Sequence, residues 1–369
     1  MPDVHSNLPP SASKMWISGP PSAALNAKAP DSDSSYALAG TLAHSIGEAK
    51  IRQALGEDIS IPECTDAEMA EATDQYRDYV LEQIEAARAS CRDPTVLVEQ
   101  RVSCERWAEG CFGTADFLLI SDQTLHICDL KYGQLEVSAQ DNTQLMCYSL
   151  GAIDAFSSLY EFTEVKMTIF QPRLNHCDTC TKTVEELLQW GDTVLKPAAV
   201  LALAGEGAFC AGEHCRFCKV KQTCRKRAEY NLALARYDFA MPPELTDDEI
   251  EAILAKADDL TSWISDIKDY AMQQALSGKH WSQWKLVEGR SVRKYTDEAA
   301  VADAVTAAGF DPYEHKVLGL TAMTKLLGKR KFEELLGGLI HKPPGKPTLV
   351  PISDRRAEWN TAKNDFMED

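Results

Sequence analysis

The sequence predicts an α/β fold in which a mixed central sheet is flanked by helices. The stretch "GTADFLLISDQTLHICDLKYGQ", residues 113 to 134, reads as two strands joined by the polar turn Ser121-Asp122-Gln123. The first strand alternates from Ala115 to Ile120, and the second runs through Leu125, Ile127 and Leu130. With the segments around this pair, the chain gives the order α, β, β, β, α, β, α, which suits a sheet covered by helices. The 44% hydrophobic and 8% aromatic content is ordinary for a globular chain.

In chain order, residues 1 to 39, rich in Pro, Ser and Ala, are expected to be a loosely structured lead-in. "TLAHSIGEAKIRQAL" (41 to 55) is a helix with Leu42 and Ile46 inward and His44 on a face with Glu48. A second, outwardly acidic helix covers 66 to 89. "TVLVEQRVSCE" is a strand after Pro94, and the strand pair of residues 113 to 134 follows it. Residues 141 to 156 form a helix, 165 to 173 a strand that stops at Pro172, and "VEELLQWGDTVLKPAAVLALAG" is again helical. These elements place one domain at 40 to 209 and a cysteine-rich segment at 210 to 240. Pro242 and Pro243 then break the chain, Thr246 and Glu249 form a capping box, and 241 to 369 is an α-rich C-terminal region.

The 369-residue chain has room for one large or two medium domains. No apolar run approaches the roughly 20 residues of a membrane span. "MPDVHSNLPPSASK" lacks the basic start and apolar block of a secretory signal, so a cytoplasmic protein is expected. Twelve cysteines in such a chain are expected to be thiols or metal ligands, not a disulfide framework. The net charge of -18 argues against a general basic coat for nucleic acid, although acidic metal sites add to that count.

Charges break the apolar strands at Asp116, Asp129 and Lys131. Buried unpaired charges are costly, so such groups sit at strand ends, in pairs, or on a metal. A tight hairpin can bring Asp116 beside Asp129, and Lys131 shares the Asp129 face because strand side chains alternate. Hard oxygen ligands converging on one point would hold a divalent cation that polarises phosphate, with a lysine to neutralise developing charge. Gln144 and Tyr148, four apart on the next helix, face the same way, and His44 offers an imidazole.

This ordered set resembles the PD-(D/E)XK nuclease superfamily in its RecB-like branch: a helical His, Gly-x-x-Asp, Asp-x-Lys, then Gln-x-x-x-Tyr. It is met by His44, Gly113 to Asp116, Asp129 to Lys131, and Gln144 to Tyr148, within residues 40 to 230. The resemblance implies a restriction-endonuclease-like core. It implies His44, Asp116 and Asp129 as ligands for Mg2+ or Mn2+, with the Leu130 carbonyl as a further ligand. Lys131 would then be the catalytic lysine, and Gln144 and Tyr148 the accessory pair. Over almost its whole length the chain is also similar to a family of phage and prophage RecB-like proteins with a C-terminal cysteine cluster. That likeness is carried by "SASKMWISGPPSA", "AGTLAHSIGE", "GTADF", "DLKYG", "NTQLMCYSLGA", "QPR", "CRFCKVKQTCR", "WKLVEGRSVRKYTDE" and "GKPTLVPISDRR".

Cys215-x2-Cys218-x5-Cys224 has a spacing suited to zinc or an iron–sulfur cluster. The resemblance implies a [4Fe-4S] staple completed by a cysteine far upstream, where this chain has Gly19. Cys210 is the nearest substitute. Zinc between Cys177-x2-Cys180 and Cys215-x2-Cys218 is the second option, and plain thiols the third. Cys104, Cys128 and Cys147 lie on apolar faces and are read as core.

Basic residues gather at Arg216, Lys219, Lys221, Arg225, Lys226 and Arg227. They gather again around Trp281 and Trp284, at Lys279, His280, Lys285, Arg290, Arg293 and Lys294. A DNA path would run over such clusters; a solvated helix face is the equal alternative. The function expected is metal-dependent DNA hydrolysis by a phage exonuclease in recombination or end processing in a bacterial host cell. DNA and a phage single-strand annealing or single-strand-binding protein are the expected partners. The rival is a non-catalytic DNA-binding or scaffold protein that keeps the fold, and a third reading is a zinc-stapled regulatory module.

Overall fold

A computed structural model describes residues 6–29, 35–233, 245–287, 295–313 and 317–341. The chain divides into two units, 1–274 and 275–369. The first holds a five-stranded sheet in the order β1 (Thr95–Ser103), β2 (Phe112–Ser121), β3 (Thr124–Leu130), β4 (Glu164–Gln171) and β5 (His176–Thr183). All neighbours are antiparallel except β3 and β4. A parallel pair needs a crossover, and α5 (Thr143–Phe156) lies within it. The hairpin between β2 and β3 turns on two residues, with Asp122 at φ 52°, a conformation Asp tolerates better than most.

Strands β2 and β3 are buried along nearly their whole length, which explains their continuous apolar runs. Leu118, Ile120, Leu125 and Ile127 pack on the side of α5, with its Leu145 and Leu150. Phe117, Leu119, Cys128 and Leu130 face the other way, against Ile51 of α3 (Ser35–Ala54) and Tyr76, Val80 and Ile84 of α4 (Ala67–Ser90). The sheet is therefore covered on both faces, as the sequence predicts. Helix α4 starts at Asp66, whose carboxylate accepts from the N–H groups of Glu68 and Met69.

Two local expectations need correction. The lead-in is not loose: a 3-10 turn at Pro10–Ala12 leads into α1 (Ser13–Ser18) and α2 (Pro21–Lys28). Leu8 and Trp16 join the main core, and the Ser13 hydroxyl meets that of Thr143 at 2.6 Å. Two large apolar anchors outweigh a Pro- and Ser-rich composition. Strand β5 was not expected either. Its sequence, HCDTCTKT, buries only Cys180, so it lacks the apolar alternation of an inner strand; it is held by its ladder to β4.

Beyond the sheet, α6 (Val184–Trp190) continues through a wider turn into α7 (Lys196–Ala204). α8 (Arg225–Leu232) follows the cysteine segment, and α9 (Asp247–Leu276) opens on the expected capping box, with the Glu249 N–H donating to Thr246 Oγ1 at 3.4 Å and the Thr246 N–H to Glu249 Oε2 at 2.9 Å. Pro242 and Pro243 lie outside the described residues, as does the tail from 342. The second unit contains α10 (Glu298–Ala307), capped by Asp297, then α11 (Leu320–Leu327) and α12 (Lys329–Leu336). Among the described residues no helix is long and apolar enough to cross a membrane.

Candidate metal and active site

Asp116 on β2 and Asp129 on β3 occupy the position next to the Phe117–Cys128 pair, so the hairpin sets them side by side. Both are buried, at 8% and 2% exposure. Asp116 Oδ2 accepts the Leu130 N–H at 2.7 Å, tying the two strands together at the carboxylates. Asp116 Oδ1 lies 3.1 Å from His44 Nδ1. His44 is delivered by α3, whose Ala43 and Ile46 are fully buried and whose Gly47 lets the Tyr76 ring approach closely.

Asp129 is held from the other side. The Gln144 amide Nε2 donates to Asp129 Oδ1 at 2.9 Å and to the Tyr148 hydroxyl at 3.2 Å, while Gln144 Oε1 accepts from Lys131 Nζ at 2.9 Å. Asn142 caps α5 by accepting from the Gln144 and Leu145 N–H groups, and that start aims Gln144 and Tyr148 at the sheet. Gly113 leaves room for the Tyr148 ring: a Cβ there would stand 3.0 Å from it. Lys131 Nζ also sits 2.7 Å from the buried Asp129 Oδ2, so the ammonium is that oxygen's partner. A carboxylate oxygen accepts more than one partner, so Oδ2 keeps capacity for a cation.

Sequence reasoning missed Glu99. Ligand atoms of His44, Glu99 and Asp116 all lie within 4.8 Å of one another, a tighter group than the expected triple of His44, Asp116 and Asp129. The Gln144 amide and the Lys131 ammonium hold Asp129 one step away from it. Val98 pairs with Phe117 and Gln100 with Ala115, so Glu99 stands opposite Asp116, but its backbone leaves the ladder at φ 52°. Both strands change face at this point. Val98 and Phe117 pack on the α4 side, whereas Val102 and Ala115 pack on the α5 side. Cross-strand partners share a face, which puts the Glu99 carboxylate beside Asp116.

The electrostatics follow from this crowding. Burial opposes a charged His44, but the hydrogen bond and charge of Asp116, with the charge of Asp129, outweigh it and raise the imidazole to about 9. Burial, then the Asp116 charge, pushes Glu99 up to about 7. Burial also raises Asp129 above the usual carboxylate range against the pull of Lys131. For Lys131 the Asp129 charge overcomes burial and holds the ammonium charged. Three carboxylates sharing one buried cleft need positive charge among them.

Cys210, Cys215, Cys218 and Cys224 line one cavity of about 30 Å³ together with Met15, Gly19 and His214. The Asn26 amide on α2 grips this segment, donating to Cys218 Sγ at 3.3 Å and accepting the Lys219 N–H at 2.7 Å. A Cβ on Gly19 would point to the Cys210 backbone N at 3.3 Å. No three of these four sulfurs lie within 4.8 Å of one another, and Cys177 and Cys180 stand on β5, not among the cavity's lining residues. Two of the basic residues read as a DNA path are engaged elsewhere. Arg227 is 1% exposed and reaches Asp266 at 2.7 Å and Asp259 at 3.6 Å, and Lys221 reaches Asp266 at 2.7 Å. Arg290, Arg293 and Lys294 lie outside the described residues.

Residues 5–357 match the family described as "Protein of unknown function (DUF2800)", and the chain belongs to it. A solved structure titled "Crystal structure of SSO0001" is similar over 49% of this chain and 95% of that chain, at 11% identity and a TM-score of 0.25. A likeness at that level carries no weight for fold or chemistry.

Proposed function

We propose that this DUF2800 member is a metal-dependent DNA nuclease of the RecB-like PD-(D/E)XK type that hydrolyses phosphodiester bonds. The observation that carries the reading is the convergence of His44, Glu99 and Asp116 within 4.8 Å, beside the hydrogen-bonded set Asp129–Lys131–Gln144–Tyr148. Gathering carboxylates in one cleft is costly unless a cation joins them.

Asp116, Asp129, Glu99 and His44 would hold Mg2+ or Mn2+, their oxygens being the hard donors these ions prefer. When bound, such an ion supplies Lewis acidity and a more acidic water. The protein's own residues do the rest. Lys131, kept charged by Asp129, stabilises negative charge developing on the phosphate. Gln144 fixes the spacing of Asp129 and Lys131, and Tyr148 fixes Gln144.

The cysteine cavity would hold a [4Fe-4S] cluster in preference to zinc. Thiolates hold either group, and the resemblance is what favours the cluster. Exonuclease action in phage recombination, beside a single-strand annealing or single-strand-binding protein, is the role we assign by resemblance. End-labelled linear and circular duplex DNA incubated with Mg2+ or Mn2+ tests it. Degradation of the linear form alone is expected; an inert protein with both substrates and both metals refutes the reading.

A further inference from the structure

A second convergence of sulfur lies apart from both sites. Cys104, at the end of β1, and Cys111, just before β2, have their Sγ atoms 2.7 Å apart. Cys147 of α5 completes a group whose sulfurs all lie within 4.8 Å. All three are at most 2% exposed. The Cys104 N–H donates to the Cys111 carbonyl at 2.9 Å, so the two residues face each other across the hairpin. The Cys111 N–H goes instead to the Ala108 carbonyl, and it is the 2.7 Å contact between the sulfurs that places them within reach of an S–S bond.

The loop between them is anchored. Trp107 donates to Asp192 at 3.1 Å and packs against Gly191, while Glu105, Arg106 and Glu109 remain exposed. The pair closes the base of this loop, three of whose residues reach solvent. Helix α5 rests on the same strand end, where Gly151 brings it against the Ser103 backbone; a Cβ there would stand 3.0 Å from it. Cys104 is five residues from Glu99 and Cys111 five from Asp116, so the pair sits at one end of the ladder that positions both carboxylates.

We propose that Cys104 and Cys111 form a dithiol that a hydroperoxide converts to a disulfide, clasping the β1–β2 hairpin on which Glu99 and Asp116 stand. With hydrogen peroxide, the Cys104 thiol gives up its proton, its sulfur attacks one peroxide oxygen, the O–O bond breaks, and the departing hydroxide takes that proton to leave as water. Cys104 is then a sulfenic acid. The Cys111 sulfur attacks it, the S–S bond forms, and the hydroxyl leaves as a second water with the Cys111 proton. Two electrons pass from the two thiols to the peroxide. Hydrogen bonds from Cys111, then Cys147, lower the Cys104 thiol to about 5, which favours it as the attacking sulfur, while its bond to Cys104 raises Cys111.

The inference does not depend on the nuclease reading. Full-length protein purified without oxygen is treated with hydrogen peroxide, alkylated, and digested with trypsin. Cleavage after Arg101, Arg106 and Lys131 places Cys104 on peptide 102–106, Cys111 with Cys128 on 107–131, and Cys147 on 132–166. The expected product links 102–106 to 107–131, with fragmentation placing the bond at Cys111, and dithiothreitol releases it. Cys147→Ser protein should form the same link, and closure of the short loop should raise the Tm of oxidised wild type by about 5 °C or more. Recovery of 102–106 with an alkylated thiol after peroxide, or linked to 132–166, overturns the assignment. The wild-type map decides this even if a serine variant fails to fold.

Discussion

Gln144 and Asp129 are joined by a 2.9 Å hydrogen bond from amide to carboxylate, and the other end of the same amide accepts from Lys131 at 2.9 Å. One planar group thus sets the distance between the anion and the cation of the site. Gln144→Ala should lower the single-turnover cleavage rate about 10–100-fold, as loss of a ligand-orienting partner does, with the Tm of the protein little changed. A rate equal to wild type would remove Gln144 from the machinery.

Glu99 gives a prediction on stability. Its folded-state value of about 7 lies above its ordinary 4.5, so the folded protein holds this proton more tightly than the unfolded chain. Its contribution is fully present below about 4.5 and is lost as pH rises through 7. In EDTA-treated protein at pH 8, Glu99→Gln should therefore be more stable than wild type, by on the order of 1–2 kcal/mol after allowance for partial exposure. Calorimetry at pH 5 and pH 8 should show the gain only at the higher pH, and manganese titration should show weaker binding by the variant.

His44 runs the same way at higher pH, but through a charged rather than a neutral protonated form. Its imidazolium, raised from 6.5 to about 9, contributes stability that is complete below about 6.5 and disappears as pH rises through 9. A cation must displace that proton, so Mn2+ affinity should rise on the order of tenfold or more between pH 7 and pH 9. Isothermal titration in two buffers of different ionisation enthalpy should detect the released proton. His44→Ala should bind more weakly and flatten the pH dependence.

At the cysteine cavity, Gly19 is a lining residue whose Cβ position lies 3.3 Å from the Cys210 backbone N, so a side chain there needs a shift of a few tenths of an ångström. Gly19→Cys should raise the iron bound by anaerobically purified protein, and Cys218→Ser should lose it with partial unfolding. Iron and zinc analysis alongside the absorption spectrum checks both. Wild type that is folded and active with neither element would make these cysteines ordinary thiols.

Asp116, Asp129 and Lys131 were legible because each interrupts an apolar strand, and period-two geometry then puts Asp129 and Lys131 on one face. Gln144 and Tyr148 were legible through their four-residue spacing on a helix. Glu99 was not, because its place beside Asp116 depends on the register between β1 and β2, which the pattern of a single strand does not reveal. Arg227 was counted with a basic surface cluster, yet its partners Asp259 and Asp266 stand on α9, a separation that local pattern does not reveal. The anchoring role of Trp16 was hidden by its Pro- and Ser-rich surroundings, and strand β5 by its polar composition.

The most direct measurement is cleavage of end-labelled linear duplex DNA by wild type, Asp129→Ala and Lys131→Ala, each freed of metal and then supplied with Mg2+ or Mn2+. Wild type should degrade the DNA, and each variant should be slower by about 10²–10³ or more, since removal of one key electrostatic group typically has that effect. Circular dichroism should show both variants folded. Cleavage at the wild-type rate by folded, host-nuclease-free Asp129→Ala protein would contradict the account.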